Sequence, residues 1–387
     1  MAVGDRQERL YDVCIISTIH RDFDNRIYQR QLNALVDAGL SVIIVAPWDF
    51  STRSRDDFDF VATTYPATRA RRIRHGLKTY QAVRRVRAKV YIFHDNDFLP
   101  YAWLLRRFGA RTVVYDAHEN IPEEIIYGKE WIPAPLRGGL SKAFRVLENF
   151  VVRELGQAIA AVTSLQTRFE AQGATVALVQ NFPNFTAPTV TIQKPGILYT
   201  GELSPDYGVW TIIEIARIFK QRNRAIPIRV IDRFHDDEVL RQKFKDVVRT
   251  EGLGIQMLDS VPVDQMPEML RNGSMGIIPI HNVPNKAMAL PTKGFEYFLF
   301  GLVTFASRVG GTAGIIEDGV TGFLIEAEDA VAWANTIERV WDDPALQDRV
   351  RIAARRAVEE KFNWENERQT LVAYIRDLVQ RTGRAAS

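Results

Sequence analysis

The feature that most limits the fold is a repeated alternation. Short runs of β-branched and aliphatic residues at 12–18 (DVCIIST), 41–47, 58–64, 89–95, 111–117, 158–164 and 175–181 are separated by segments long enough for a helix. Strands spaced by helices predict βαβ units and a parallel sheet. The texture breaks at NFPNFTAPTVTIQKPG (181–196), rich in Pro, Thr and Asn and without helical periodicity, which reads as a linker. A second series follows at 196–201, 226–232, 255–260, 275–280, 302–307 and 321–326. From Glu328 to Tyr374 the chain reads as helices anchored by Trp333, Trp341, Phe362 and Trp364. One architecture is thus written twice. The expected fold is α/β, two Rossmann-like doubly wound parallel-sheet domains facing a cleft. Their expected extents are 1–185 and 186–387, the second with terminal helices able to cross back to the first lobe. A length of 387 residues agrees, at roughly 100–200 residues per domain.

Composition excludes several classes. With 46% hydrophobic and 25% charged residues the chain is neither disordered nor fibrous. No apolar stretch approaches the ~20 residues of a membrane-crossing helix, and the expected location is cytoplasmic. The single cysteine, Cys14, excludes an internal disulfide framework and a cysteine-based zinc site, and lies in a strand-like run as a core residue. A net charge of +3 does not imply nucleic acid, and no recognition signature for it is present. The charge is uneven, however: residues 69–89 carry nine Lys/Arg and no Asp/Glu. On a helix this makes either a basic face for an anionic membrane, with peripheral contact at its inner side, or a solvated surface.

Doubly wound domains place ligands at the carboxyl ends of their strands, so the polar loops there carry the chemistry. FHDNDF holds Asp95-x-Asp97, a spacing that suits a divalent ion on a diphosphate or a helix cap. YDAHENIPEE puts Asp116, His118 and Glu119 after a strand; a histidine flanked by carboxylates is a proton acceptor or sugar-hydroxyl ligand, or a structural histidine. HRDFDNRIYQRQL brings His20, Asp22, Asp24 and Arg26 to a strand-to-helix turn whose amides can meet an anion, without the G-x-G-x-x-G of nicotinamide sites. ASRVGGTAG offers Arg308, Gly310, Gly311 and Gly314. LPTKGFEYFLFGLVTFAS (290–307) sets Lys293 and Glu296 one turn apart in an otherwise apolar segment, where charges are costly unless something pairs with them. No G-x-S-x-G, H-E-x-x-H or Walker A pattern occurs.

Taken together these loops resemble the GT-B glycosyltransferases of the large retaining family 4, essentially end to end. DFDNRIYQRQLNALVDAGLSVIIVAP is similar to the family's opening, and FHDNDFLP with YDAHENIPEE looks like its paired N-lobe loops. PTKGFEYFLFGLVTFASRVGGTAGIIEDGVTGFL is similar to its long P-x-K-x-x-E … G-G signature. The resemblance implies a nucleotide-sugar donor, UDP- or GDP-linked, and a glycan, lipid-linked or small-molecule acceptor. Glu296 would hold the donor ribose; Lys293, Thr292, Gly201, Arg308, Gly310 and Gly311 would border the nucleotide and diphosphate. His118, with Asp116 and Glu119, would approach the donor sugar, and His20, Asp24, Arg26, Asp95 and Asp97 would line the acceptor side. Transfer would be front-face, with retention, needing no protein nucleophile, cofactor or metal.

Three departures stand out. The second glutamate of the family's E-x7-E pair falls at Met288. The Arg and Lys of its phosphate loop fall at Glu202 and Tyr207, and the acid after the double glycine falls at Gly314. A catalytically degenerate sugar- or partner-binding protein is therefore the alternative, and a nucleotide-sugar 2-epimerase a further one.

Overall fold

Each apolar run contributes a strand that stops at or short of its carboxyl end, and three of the strands start one or two residues before their run. The structure, a computed structural model, describes residues 9–20, 22, 24–52, 55–65, 72–109, 111–129, 131–183, 193–234, 237–262, 265–283 and 292–386. Met288 and Pro291, the start of the basic run at 69–71 and most of the linker lie outside these residues. The chain divides into two compact units, Met1–Asn181 with Trp364–Ser387, and Phe182–Asn363.

The first unit is built on β1 (Leu10–Ile16), β2 (Val42–Ala46), β3 (Asp59–Ala62), β4 (Arg87–Phe93), β5 (Thr112–Ala117), β6 (Gln157–Ala160) and β7 (Thr175–Leu178). They form one parallel sheet in the order β3-β2-β1-β4-β5-β6-β7. Successive side chains of a strand point to opposite faces. Val13 and Ile15 of β1 enter one core with Ile44 and Ile92, and Cys14 and Ile16 enter the other with Tyr91 and Phe93. The helices are α1 (Asn33–Asp37), α2 (Arg72–Arg84), α3 (Leu99–Gly109), α4 (Ile121–Tyr127), α5 (Ala134–Leu155) and α6 (Thr163–Glu170). α5 ends at Gly156, whose φ of 69° is the left-handed cap that favours glycine. The last helix, Trp364–Ala386, belongs to this unit although its sequence follows the second. Leu371 and Ile375 are fully buried in the Val13 core, and Tyr374 donates to Gln157 Oε1 at 2.8 Å.

The second unit carries β8 (Ile197–Tyr199), β9 (Ile228–Ile231), β10 (Ile255–Leu258), β11 (Met275–Ile278), β12 (Val303–Ser307) and β13 (Phe323–Ile325), parallel in the order β10-β9-β8-β11-β12-β13. Both sheets reverse their strand order next to their first strand, at β1/β4 and β8/β11, where open α/β sheets bind ligands. Among the described residues no helix is long and apolar enough to cross a membrane.

Candidate active site

In the first unit the polar ends of β1, β4 and β5 converge at the strand-order reversal. Asp116, the next-to-last residue of β5, is fully buried. Arg26 reaches it with a two-pronged contact, Nε to Oδ2 at 3.1 Å and a terminal guanidinium nitrogen to Oδ1 at 2.7 Å. The same guanidinium donates to Val179 O at 2.9 Å and Asn181 Oδ1 at 2.8 Å. Gln31 adds a donor to Asp116 Oδ2 at 2.5 Å. Arg26 and Gln31 share one face because residues Asn25–Leu32 form a wide π-helical turn, started by Asp24, which accepts from the amides of Arg26 and Ile27. Burial would push the Asp116 carboxyl up, but the Arg26 charge and the two histidines hold it well below the usual carboxylate range, so it is ionised.

His94, at the end of β4, sits with Nδ1 3.1 Å from Asp116 Oδ2 and 3.1 Å from His118 Nε2; the latter is itself 3.3 Å from that oxygen. Complete burial depresses the His94 pKa and keeps it neutral, while His118 is part-exposed. The His20 ring lies tilted 5.1 Å from the His118 ring, its Nδ1 3.3 Å from Asp24 Oδ2 and its Nε2 3.5 Å from Asp95 Oδ1. Burial opposes charge on His20, yet the Asp24 hydrogen bond and the charges of Asp95, Asp24 and Asp116 raise its pKa overall. The cluster therefore joins a neutral buried imidazole to one biased toward protonation.

Asp95 and Asp97 both reach the loop after β1. Asp95 Oδ2 accepts from Ser17 Oγ at 3.0 Å and Thr18 N at 2.5 Å, and Asp97 Oδ1 accepts from Thr18 Oγ1 at 2.6 Å, so the pair shapes the loop after β1. Glu119 is exposed and its carboxyl pairs with Glu124, whose pKa burial and Glu119 push up to about 7. The His94, Asp116 and His118 ligand atoms lie within 4.8 Å of one another, close enough to enclose a metal ion. Arg26 already supplies Asp116 with the positive charge that a metal would bring.

The second unit gathers its own groups beyond β8 and β9. Thr200 N and Oγ1 contact Tyr297 Oη at 3.1 and 3.2 Å, and Arg233 donates to Thr200 O at 3.3 Å. Lys293, on the helix Thr292–Leu299, has its ammonium 4.9 Å from the Tyr199 ring centre and 5.0 Å from that of Tyr207. Glu296 is one turn further on; burial pushes its carboxyl up, countered by the charges of Arg233 and Lys293. Gly201 is required here, because a Cβ would overlap the Lys293 ammonium and the Tyr199 hydroxyl. Gly208, at φ 76°, could carry no Cβ either without striking Pro279 O.

Of the residues singled out in the sequence, Glu296, Lys293 and Gly201 come together and Thr292 is exposed at the start of their helix. Arg308, directly after β12, donates to Asp318 Oδ2 at 2.6 Å and Leu324 O at 2.9 Å. Gly310 and Gly311 begin the short helix Gly310–Ala313. His94, Gln31, Tyr199 and Tyr297 were not singled out. His94 had a visible signal, the residue before Asp95 on the same strand end, whereas the tyrosines read only as core.

Residues 187–357 match the family described as "Glycosyl transferases group 1". A D-inositol 3-phosphate glycosyltransferase of Acidothermus cellulolyticus is 28% identical over 127 residues, 33% of this chain and 27% of the relative, so the chain spans about a quarter of that curated protein. Among solved structures, the sucrose-phosphate synthase of Thermosynechococcus elongatus superposes with a TM-score of 0.71 at 18% identity, covering 97% of this chain and 100% of that one. Anabaena HepE in complex with UDP gives 0.70 at 14% identity, covering 95% and 100%. The second unit thus matches the group 1 glycosyltransferase family over residues 187–357, in a chain whose two parallel-sheet units have the GT-B fold.

Proposed function

We propose that the chain is a glycosyltransferase that moves a hexosyl or deoxyhexosyl unit from a UDP- or GDP-sugar to a hydroxyl of a glycan, lipid-linked or small-molecule acceptor, with retention. The observation that carries this is Glu296 flanked by the Lys293 and Arg233 charges beyond β8 and β9, in a unit that matches the family. A carboxylate suits ribose hydroxyls, and cations suit a diphosphate. HepE was solved with UDP and with UDP-glucose, which supports a nucleotide-sugar donor.

In this reading the bond from the anomeric carbon to the diphosphate oxygen breaks as the bond to the acceptor oxygen forms on the same face. The acceptor proton passes to the departing diphosphate. Lys293 and Arg233 stabilise the charge that develops there, so no divalent ion is needed. The test is release of nucleoside diphosphate from UDP- or GDP-sugars. Turnover should require acceptor, persist in EDTA, and fall with Lys293→Ala and with Glu296→Ala. A charge-assisted contact of about 1.5–3 kcal/mol makes UDP binding by Lys293→Ala roughly 10–150-fold weaker. An active preparation indifferent to both substitutions would refute the assignment.

One observation favours a second reading, a binding protein without turnover. Tyr207 stands where the resemblance puts a cation, and Lys293 lies over its ring. Calorimetric titration with UDP, GDP and dTDP separates the two: no binding of any of them supports the second.

A further inference from the structure

Strand register gathers two histidines and a carboxylate beside Arg26. β4 and β5 are parallel neighbours, with Ile92 opposite Val114 and Phe93 opposite Tyr115. Ile92 and Val114 face the Val13 core. Two residues further along that face the same register brings His94 opposite Asp116, and His118, two residues beyond Asp116, returns to the same side. The apolar face therefore ends in two imidazoles and a carboxylate. His94 and Asp116 are buried, while the part-exposed His118 gives the group its opening to solvent.

The spacing is that of a ligand set. His94 Nδ1, Asp116 Oδ2 and His118 Nε2 form a triangle with sides of 3.1, 3.1 and 3.3 Å. An ion about 2.0–2.1 Å from each atom, the usual reach of zinc to imidazole and carboxylate, needs sides of about 3.0–3.4 Å, from octahedral to tetrahedral geometry. Hydrogen bonds alone cannot satisfy this triangle. A carboxylate only accepts, and each imidazole nitrogen carries at most one proton. At most two sides can then be hydrogen bonds, and the third sets lone pair against lone pair or N–H against N–H. A divalent cation makes all three contacts attractive. Charge favours it as well: Arg26 offsets Asp116, but Asp24 and Asp95, which meet His20 at 3.3 and 3.5 Å, add two further carboxylates. Asp95 is buried, and its Oδ1 has no hydrogen-bond partner among the described residues.

We propose that His94 Nδ1, Asp116 Oδ2 and His118 Nε2 bind one divalent transition-metal ion of the zinc class, with water completing its shell on the His118 side. Two imidazoles select such an ion over magnesium and calcium, which take oxygen ligands. Arg26 and Gln31 are the outer partners that fix the Asp116 carboxylate, and His20, whose nitrogens face Asp24 and Asp95, stays outside the ligand set. The ion ties the ends of β4 and β5 together and holds the His118 ring. All its ligands belong to the first unit, so the inference stands apart from the diphosphate chemistry proposed for the second.

The test uses the untagged full chain, stripped with a chelator, dialysed and titrated with Zn2+ or Co2+ alone. One ion should bind per chain by calorimetry, Co2+ should give visible d–d bands, and Zn2+ should raise the unfolding temperature. His118→Ala, which removes a part-exposed side chain, should abolish the Co2+ bands and weaken Zn2+ binding by at least the roughly 10–100-fold loss typical of an outer partner. His94→Ala should do the same; if that buried change misfolds, His118→Ala still decides. His20→Ala should keep the Co2+ bands. Three results overturn the inference: no Co2+ bands in the unsubstituted chain, binding undiminished in His118→Ala, or bands lost in His20→Ala and kept in His118→Ala.

Discussion

Removing Arg26 tests the first unit at its most demanding point. Arg26→Met replaces a guanidinium that makes two charge-assisted hydrogen bonds to a fully buried carboxylate and two more to Val179 O and Asn181 Oδ1. Breaking a buried pair from one side costs about 3–5 kcal/mol, because the remaining charge is stranded. The sign of the pH dependence follows from linkage. In the native protein the Asp116 pKa is depressed, so its contribution is present above the unfolded value of 3.8 and is lost only as pH falls through the lower folded value. In Arg26→Met the same carboxyl rises above its unfolded value, and stability is lost as pH increases. The gap between the two proteins should therefore be widest near about pH 8 and narrow toward about pH 5. Urea unfolding, read by the buried Cys14 thiol becoming reactive toward a disulfide reagent, reports the first unit. Arg26→Met with Asp116→Asn should cost less than the sum of the single changes. A single-variant loss below about 1 kcal/mol, or a gap independent of pH, would refute the stranded-charge argument.

Two further outcomes are expected. Glu124, held up to about 7 by burial and Glu119, contributes stability that is present below its unfolded value of 4.5 and disappears as pH rises through about 7; Glu124→Gln should flatten that slope, and carboxyl NMR should show the titration directly. Gly201→Ala should lose about 1–3 kcal/mol to overpacking against Tyr199, and bind UDP at least about tenfold more weakly as Lys293 is displaced, measured by thermal unfolding and calorimetry.

The strands were legible because each combines β-branched composition with polar punctuation, and both cores follow from their alternation. Lys293 and Glu296 were legible because charge in an apolar helix demands a partner. What stayed hidden depends on long-range packing. Asp97 binds Thr18 across a separation of 79 residues, and His94 joins His118 because β4 and β5 are neighbours. The π-helical turn that aligns Arg26 with Gln31 has no composition of its own.

The late placement of the helix Trp364–Ala386 sets an order of assembly. During synthesis the second unit, Phe182–Asn363, is complete before the first receives the residues that close its Val13 core. At about 5–20 residues per second, the first unit waits roughly 10–40 s with the seats of Leu371 and Ile375 open. That interval is when the nascent chain is most exposed to aggregation and to holding chaperones. Substitutions in this helix should therefore lower the yield of folded protein beyond what their effect on native stability alone accounts for.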